Sequence, residues 1–373
     1  MTSGATRGTS RLHRLSALGQ SVWIDFLSRD LIDSGALARA LDEDAVVGVT
    51  SNPSIFEKAL SRGQAYDEQI AAGGGDDETK RLFLGLAMRD VATACDLLRP
   101  IWERTRAGDG YVSIEVDPNL AHDTTATVDE ATMLHEAIAK PNLLVKIPAT
   151  DAGIGAIEEM TARGRSINVT LIFSLERHRQ VIEAYLAGLE RLVADGGDPS
   201  SVHSVASFFV SRVDTETDRR LAELERDDLK GRLGIANAKL AYQQYKAAFA
   251  GERWQRLAAH GATEQRCLWA SMSVKDPAYP DTRYVEELIG RETISTMPEE
   301  TIRAFQEHGR VELRLESGVL EARRLLVRLR DAGVDYDDVV ATLEREGIEK
   351  FVASFGQLLN GIADKRRDLA VAA

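Results

Sequence analysis

Cysteine and long apolar runs are scarce in this sequence, and their scarcity argues against two classes of protein. The two cysteines, Cys95 and Cys267, lie far apart and form no Cys-x-x-Cys pair, so no disulfide framework is predicted and a reducing cytosol suits the chain. No run of about 18 apolar residues occurs, so no transmembrane helix is expected. The arginine-containing N-terminus lacks the apolar segment of a secretory signal. We therefore expect a cytoplasmic protein with a flexible N-terminus over residues 1–10.

Basic residues are also fewer than acidic ones. The chain contains 46 Lys and Arg against 59 Asp and Glu, a formal net charge of −13. This balance argues against nucleic acid or an anionic membrane as a partner, and an anionic substrate would need a local cationic pocket.

Signals for metal or nucleotide binding are missing as well. The seven histidines form no HExxH or similar ligand spacing. The segment DAGIGAIEE lacks the third glycine of the dinucleotide fingerprint, and no Walker motif occurs. The sequence therefore argues against metal-dependent hydrolysis and against nucleotide binding through these motifs.

Short β-rich segments alternate with longer amphipathic ones along the chain. The eight predicted strands are Val22–Phe26, Ala45–Ser51, Gly110–Val116, Asn142–Ala149, Ser166–Phe173, Val202–Ser211, Cys267–Met272 and Thr293–Pro298. Between them, apolar residues recur at spacings of three and four, which is typical of helices.

Strand followed by helix, eight times, predicts a (β/α)8 barrel, a TIM barrel, rather than two domains. The long connections after the second and sixth strands are expected to contain additional helices. The C-terminal segment from Asp335 onward is predicted to be a further helix packed on the outside. We expect residues 1–373 to form a single domain.

One lysine interrupts an apolar strand, in the segment NLLVKIPATDAG. A buried ammonium is unfavourable, so Lys146 must reach solvent, pair with a carboxylate or lose its proton. Alternate residues of a strand face opposite sides. Leu143, Val145 and Ile147 therefore share one face, and Lys146 lies on the other.

The same alternation places polar residues on the inner face of other strands. Val169, Leu171 and Phe173 are expected on the face opposite Asn168 and Thr170. Barrel active sites lie at the carboxyl ends of the strands. The candidates for that end are Asp25, Asn52, Glu115, Lys146, Asn168, Thr170 and Ser207. The same alternation places Phe209 on the face of Ser207, Thr50 on that of Asn52, and Ser271 and Ser273 on the corresponding face of the seventh strand.

A lysine of this kind is more often part of a structural ion pair, here with Glu115 or Asp25. However, polar residues lie on the inner face of several strands, which is difficult to explain as the needs of a core alone, so we favour the functional interpretation. Desolvation is expected to lower the pKa of the lysine from about 10.4 to roughly 7–8. A neutral amine attacks a ketone to form a Schiff base, and the two acids can move the protons that this chemistry requires.

A phosphate anchor is expected at the same end of the barrel. Arg212 follows the sixth strand, and Ser271, Ser273 and Lys275 follow the seventh. Arginine, lysine and hydroxyl groups on neighbouring loops make a charge-assisted phosphate site.

These motifs together resemble transaldolase, in its longer bacterial form. The matching blocks, in order, are GVTSNPSIF, VSIEVDP, LLVKIPAT, INVTLIFS, SFFVSRVD and LWASMSVKDPAYPDTRYVEELIG, and the resemblance spans nearly the whole chain. It implies transfer of a dihydroxyacetone unit from sedoheptulose 7-phosphate or fructose 6-phosphate to glyceraldehyde 3-phosphate or erythrose 4-phosphate. This is a reaction of the non-oxidative pentose phosphate pathway, and the resemblance implies neither a metal nor an organic cofactor, because the lysine itself is the electron sink.

The resemblance also implies residue roles. Lys146 matches the Schiff-base lysine, Asp25 the acid/base at carbon–carbon cleavage, and Glu115 with Thr170 the water-handling pair. Asn52, Asn168 and Ser207 match the positions that bind the dihydroxyacetone hydroxyls. Arg212 and the loop from Ser271 to Lys275 match the phosphate site, where many members have arginine in place of Lys275. Family members vary in assembly, so both a monomer and a homodimer stay open.

Two other functions compete with this interpretation. The smaller fructose-6-phosphate aldolases of the superfamily release free dihydroxyacetone, but they carry tyrosine in place of Phe209 and glutamine in place of Glu115. A catalytically inactive barrel that senses sugar phosphates would be expected to lack the lysine or an acid, and none is missing.

Overall fold

The structure is a computed structural model that describes residues 10–72 and 79–372. Eight parallel strands pair in chain order and close into a barrel, with the eighth strand hydrogen-bonded to the first. The strands are β1 Gln20–Ile24, β2 Val46–Val49, β3 Tyr111–Glu115, β4 Leu143–Pro148, β5 Ile167–Ile172, β6 Ser204–Phe209, β7 Arg266–Ala270 and β8 Thr293–Met297. The predicted (β/α)8 barrel is confirmed.

Helices follow the strands and surround the barrel. Among the described residues, the α-helices are α1 Arg11–Ala17, α2 Arg29–Asp33, α3 Ala36–Glu43, α4 Pro53–Arg62, α5 Asp67–Ala71, α6 Thr79–Arg104, α7 Thr124–Ile138, α8 Asp151–Ala162, α9 Leu175–Ala194, α10 Ser211–Glu223, α11 Leu233–Ala248, α12 Glu252–Ala259, α13 Arg283–Glu287, α14 Glu299–His308, α15 Val319–Asp331 and α16 Tyr336–Ala372. Short 3-10 helices span Pro118–Leu120, Pro199–Ser201 and Asp227–Leu229.

The two long connections contain additional helices, as predicted. The connection after β2 contains α4, α5 and α6, and the connection after β6 contains α10, α11 and α12. The predicted flexible segment 1–10 lies outside the described residues except for Ser10, whose side chain accepts a hydrogen bond from the backbone N–H of His13 at the start of α1.

Alternation along the strands builds two apolar layers. Val22, Val112 and Val145 face outward and pack with the surrounding helices. Trp23 and Leu144 belong to a second cluster inside the barrel. At the amino ends of the strands the inner face also carries polar groups, since Arg266 donates to the Ser21 hydroxyl at 2.7 Å. A separate set of polar inner residues lies at the carboxyl ends.

One glycine makes room for the largest inner side chain. Gly48 pairs in register with Trp23 of the neighbouring strand, and a Cβ atom at Gly48 would lie 2.4 Å from the indole ring. The Trp23 indole N–H donates to Asp109 Oδ1 at 3.1 Å, which fixes the ring in place. A larger residue at position 48 therefore has no space.

The alternation predicted for the end of β5 is wrong. Leu171 has a φ of 60° and the pairing register with β6 shifts between Val169 and Ile172. Leu171 and Phe173 consequently join the inner cluster, while Ile172 packs outward. A left-handed backbone at a non-glycine residue has no signal in the sequence pattern, because it is stabilised by the surrounding structure.

The C-terminal segment is helical, as predicted, but its placement differs from a helix lying only on the outside. Helix α16 packs on α4, α5, α6 and α10. Its Gly347 lies against Leu171 and Phe173, and the side chain of Phe351 reaches the carboxyl end of the barrel. The apolar face of a helix this long finds its partners across the strand ends as well as on the neighbouring helices.

Candidate active site

A cavity of about 500 Å³ opens at the carboxyl ends of the strands. Eleven of the thirteen predicted site residues line it: Asp25, Thr50, Asn52, Lys146, Thr170, Ser207, Phe209, Arg212, Ser271, Ser273 and Lys275. The other two lie next to this lining, because Glu115 contacts Lys146 and Asn168 contacts Ser207. The structure therefore brings the whole predicted set together.

Lys146 and Glu115 form a buried ion pair at the base of the site. The two residues are register partners on β4 and β3, and Lys146 Nζ lies 2.8 Å from Glu115 Oε1. Their side chains are only 7% and 8% exposed. The ammonium also donates to the backbone carbonyl of Ser51 at 3.0 Å, which fixes its direction.

Burial dominates the ionisation of Glu115. It raises the pKa of the carboxyl above its ordinary value, although the Lys146 ammonium acts in the opposite direction. Apart from the ion pair, its two buried oxygens have no hydrogen-bond partner among the described residues. A carboxylate in this state accepts a proton more readily than one in water.

Asp25 lies on the neighbouring side of the cavity, directly after β1. The Thr50 hydroxyl donates to Asp25 Oδ1 at 2.7 Å and lies 2.8 Å from the Thr296 hydroxyl. This hydroxyl chain crosses β2, β1 and β8 and holds the Asp25 carboxylate at the cavity wall.

A second polar chain joins three inner residues on β3, β5 and β6. Ser207 Oγ donates to Asn168 Oδ1 at 2.7 Å, and Asn168 Nδ2 donates to Ser113 Oγ at 3.0 Å. The chain determines which end of the Asn168 amide faces which neighbour, so it orients the polar groups offered to a ligand.

Asn52 begins α4 and contributes to the cavity at the same time. Its Oδ1 accepts the backbone N–H of Ile55 at 3.1 Å, and Pro53 occupies the first helical position. Because the side-chain oxygen of Asn52 already accepts this hydrogen bond, the Nδ2 group is the part of the side chain that can donate to a substrate.

Thr170 is a buried hydroxyl with no assigned partner. It is 2% exposed, and its Oγ1 has no hydrogen-bond partner among the described residues. The register of β5 with β6 shifts between Val169 and Ile172, so regular pairing is interrupted beside Thr170. A water molecule or a substrate group would satisfy the hydroxyl.

Cationic groups gather at one end of the cavity. The Arg212 guanidinium lies over the Phe209 ring, 5.2 Å from its centroid, and its buried Nη1 has no hydrogen-bond partner among the described residues. Lys275 Nζ donates to Ser273 Oγ at 2.5 Å. Ser271, with a φ of 57°, places its hydroxyl 2.9 Å from that of Ser211.

Burial is the largest influence on the ionisation of both Arg212 and Lys275. Burial lowers the pKa of Arg212, although Asp25 and Glu115 act to raise it. Partial burial, and after it the nearby Arg212, lower the pKa of Lys275. Positive charges that disfavour each other beside an unpaired guanidinium N–H make this end suited to an anion.

Sequence reasoning missed further residues at the site, and Thr296, Ser113, Lys58 and Phe351 are among them. Thr296 and Ser113 support Asp25 and Asn168, and strand alternation could have identified both. Lys58 lies six residues after Asn52 on α4 and also lines the cavity. Phe351 of α16 lines it beside Lys146 and Thr170, and nothing in its local sequence indicates this.

A closed parallel barrel with ionisable side chains gathered around a cavity at the carboxyl ends of its strands has the arrangement of the (β/α)8-barrel enzymes. Residues 22–362 match the family described as transaldolase/fructose-6-phosphate aldolase. The chain belongs to this family, and it is an enzyme of the transferase class.

Curated relatives agree with this assignment over nearly their full length. Transaldolase 1 of Streptomyces avermitilis is 51% identical over 95% of this chain and 96% of its own. The transaldolase of Renibacterium salmoninarum is 51% identical over the same shares. The transaldolase of Mycobacterium leprae is 51% identical over 93% of this chain and 94% of its own.

Over residues 10–72 and 79–372, every helix is too short or too polar to cross a bilayer.

Proposed function

We propose that the chain is a transaldolase that transfers a dihydroxyacetone unit between sugar phosphates through a Schiff base on Lys146. Sedoheptulose 7-phosphate or fructose 6-phosphate is the donor, and glyceraldehyde 3-phosphate or erythrose 4-phosphate is the acceptor. The observation that carries the proposal is the buried Lys146–Glu115 pair beneath a cavity whose far end is cationic.

The first stage joins the lysine to the donor. Glu115 takes a proton from the Lys146 ammonium, and the neutral amine attacks C2 of the ketose to give a carbinolamine. Glu115 and the unpaired hydroxyl of Thr170 handle the water that leaves as the C2 oxygen departs with two protons. The product is an iminium, in which C2 is bonded to Lys146 Nζ.

The second stage breaks a carbon–carbon bond. Asp25 removes the proton of the C4 hydroxyl, the C3–C4 bond breaks, and its electron pair moves into the iminium to form an enamine. The aldose phosphate leaves. The enamine then attacks the aldehyde carbon of the acceptor, Asp25 returns its proton, and hydrolysis frees the new ketose.

Substrate binding uses both ends of the cavity. Asn52, Asn168 and Ser207 bind the hydroxyls of the three-carbon unit, and Thr50 positions Asp25. Arg212, Ser271, Ser273 and Lys275 bind the phosphate, with Phe209 supporting the Arg212 side chain. Charge-assisted hydrogen bonds to phosphate are the strongest contacts that such a set can make.

Borohydride trapping tests the mechanism. Borohydride in the presence of fructose 6-phosphate should add one three-carbon unit to the protein, located on Lys146 by mass spectrometry. The Lys146→Met variant should acquire none. An adduct that is absent, or located on another lysine, would contradict the mechanism.

Transfer is favoured over release of free dihydroxyacetone, the reaction of the smaller aldolases in the superfamily. The supporting features are Glu115 and Phe209, which stand where those aldolases carry glutamine and tyrosine. Product analysis decides between the two reactions. With fructose 6-phosphate and erythrose 4-phosphate, sedoheptulose 7-phosphate should form faster than free dihydroxyacetone, and the opposite order would favour an aldolase.

We further propose that the protein is cytoplasmic, that residues 1–373 form a single domain, that the reaction uses neither a metal nor an organic cofactor, and that the protein is a monomer or a homodimer.

A further inference from the structure

A second cavity lies on the outer layer of helices, away from the site described above. It encloses about 560 Å³ between α11, α13 and α15 and shares no lining residue with the first cavity. A volume of this size accommodates a small organic ligand. None of its lining residues has a role in the proposed transfer reaction.

Cations dominate the rim of this second cavity. Five basic side chains line it against two acidic ones, Glu287 and Glu321; the basic residues are Arg232, Lys239, Arg283, Arg324 and Arg328. The local charge is therefore about +3, in a chain whose net charge is −13. A cationic patch that opposes the overall field selects anions.

The acids of the rim do not neutralise these arginines. Glu287 already pairs with Lys239 at 3.2 Å and with Arg314 at 2.9 Å. Glu321 is 4.0 Å from Arg324, with both side chains more than two thirds exposed, and such a pair contributes little.

The outer guanidiniums are free to meet a ligand. Arg232 is exposed and has no ion pair in the part of the chain that the structure describes. Arg328 contacts Asp228 at 3.3 Å with both side chains about half exposed, so this contact is readily exchanged.

The floor of the cavity is apolar. It is formed by Ile235 and Ala236 of α11 and by Ala322 and Leu325 of α15. An inorganic anion would leave this floor uncovered, whereas a ligand with a flat apolar part would cover it. Guanidinium groups bind phosphate through two parallel N–H donors and also stack on aromatic rings.

We propose that this cavity binds a small organic phosphate with an aromatic part, of the nucleoside diphosphate class. The phosphates contact Arg232, Arg324 and Arg328 at the rim, and the aromatic ring lies on the floor between α11 and α15. The proposal is independent of the proposed transfer reaction, since the two cavities share no residue.

Isothermal titration calorimetry with adenosine diphosphate tests it. In the presence of saturating fructose 6-phosphate, one nucleotide should bind per chain with a Kd of about 1 mM or tighter. Pyrophosphate and adenosine should each bind at least about tenfold more weakly, because each lacks half of the contacts. Equal binding of pyrophosphate, or loss of nucleotide binding when fructose 6-phosphate is added, would overturn the proposal.

Matched variants locate the site. Arg232→Gln and Arg324→Gln should each weaken nucleotide binding about tenfold. Arg323→Gln, the neighbouring exposed arginine on α15 that does not line the cavity, should leave binding unchanged. Because all three side chains are exposed, the variants should fold, and thermal unfolding checks this. Equal weakening in all three variants would show general attraction to surface charge and overturn the proposed site.

Discussion

Glu115 and Lys146 face each other as register partners on adjacent strands, with 2.8 Å between Oε1 and Nζ. Neither side chain is appreciably exposed, and burial raises the pKa of the Glu115 carboxyl. The pair is therefore a proton acceptor placed against a proton donor, where the dielectric screening of water is largely absent. A structural ion pair and a catalytic one have the same geometry, so the distinction must come from kinetics.

Glu115→Gln should make this distinction. The amide keeps the size of the side chain but cannot accept the lysine proton, so Schiff-base formation should slow by about 10²–10⁴-fold. Rapid borohydride trapping in a single turnover measures this step. If the Schiff base in the Glu115→Gln variant is trapped at the wild-type rate, the role of Glu115 is purely structural.

Asp25→Asn should separate Schiff-base formation from cleavage. The adduct on Lys146 should still form, while turnover falls by about 10²–10⁴-fold because no base remains for the C4 hydroxyl. As a comparison, Thr50→Val removes the hydroxyl that donates to Asp25 at 2.7 Å and should have a smaller effect. Unchanged turnover in Asp25→Asn would remove Asp25 from its proposed role.

Lys275 should affect substrate affinity rather than chemistry. Lys275→Gln should raise the KM for the donor about tenfold with little change in kcat, because the phosphate is bound equally in the ground and transition states. Lys275→Arg should lower KM, since a guanidinium can bind phosphate with two donors. Lys350→Gln, on the exposed part of α16, is the control. A fall in kcat without a change in KM would contradict this role.

Gly48→Ala should destabilise the barrel. The added Cβ would lie 2.4 Å from the indole of Trp23, which its hydrogen bond to Asp109 holds in place. Overpacking of this kind costs about 1–3 kcal/mol of the free energy of unfolding. Gly361→Ala, in open space on α16, should instead stabilise the protein by about 0.5–1 kcal/mol through helix propensity. Urea unfolding of both variants measures the contrast, and equal effects would argue against the steric cause.

Acid should destabilise the protein through buried imidazoles. Burial lowers the pKa of His178 to about 4, and His135 and His203 behave in the same way. The unfolded chain binds these protons below about pH 6.5 and the folded chain only below about pH 4. The free energy of unfolding should therefore fall as the pH falls through this window, by about 3 kcal/mol for each histidine.

Carboxyls whose pKa is raised by burial act in the opposite direction, and Asp90, Asp214 and Asp218 are among them. Burial raises the pKa of Asp214 to about 6, so the folded chain binds that proton first and offsets part of the loss. Urea unfolding at about pH 7 and about pH 4.5 should show a smaller drop for His178→Gln than for the parent protein. An equal drop in the two proteins would exclude His178 as a source of the acid sensitivity.

Much of the fold was predictable because it repeats simple patterns. Eight β-rich segments separated by amphipathic ones predict the barrel, and alternation along β1, β3 and β4 places Trp23, Glu115 and Lys146 inside. Eleven of the thirteen residues predicted for the site line the first cavity. Local propensity and parity are properties of neighbouring residues, so they can be read from one chain segment at a time.

The features that were not predicted depend on contacts between residues that are far apart in the sequence. The bulge at Leu171 requires a left-handed backbone that no local pattern signals, and it reverses the predicted faces of Leu171 and Phe173. Phe351 reaches the site from a helix about 200 residues further along the chain than Lys146. The second cavity exists only because α11, α13 and α15 meet there.

The amino-acid sequence by itself determined the alternation of strands and helices, the inward face of each regular strand, and the chemical types gathered at the strand ends. Only the tertiary structure decided which of the two acids pairs with Lys146, because the choice between Glu115 and Asp25 depends on strand register. Register follows from closing all eight strands into one barrel, and no single segment contains that information.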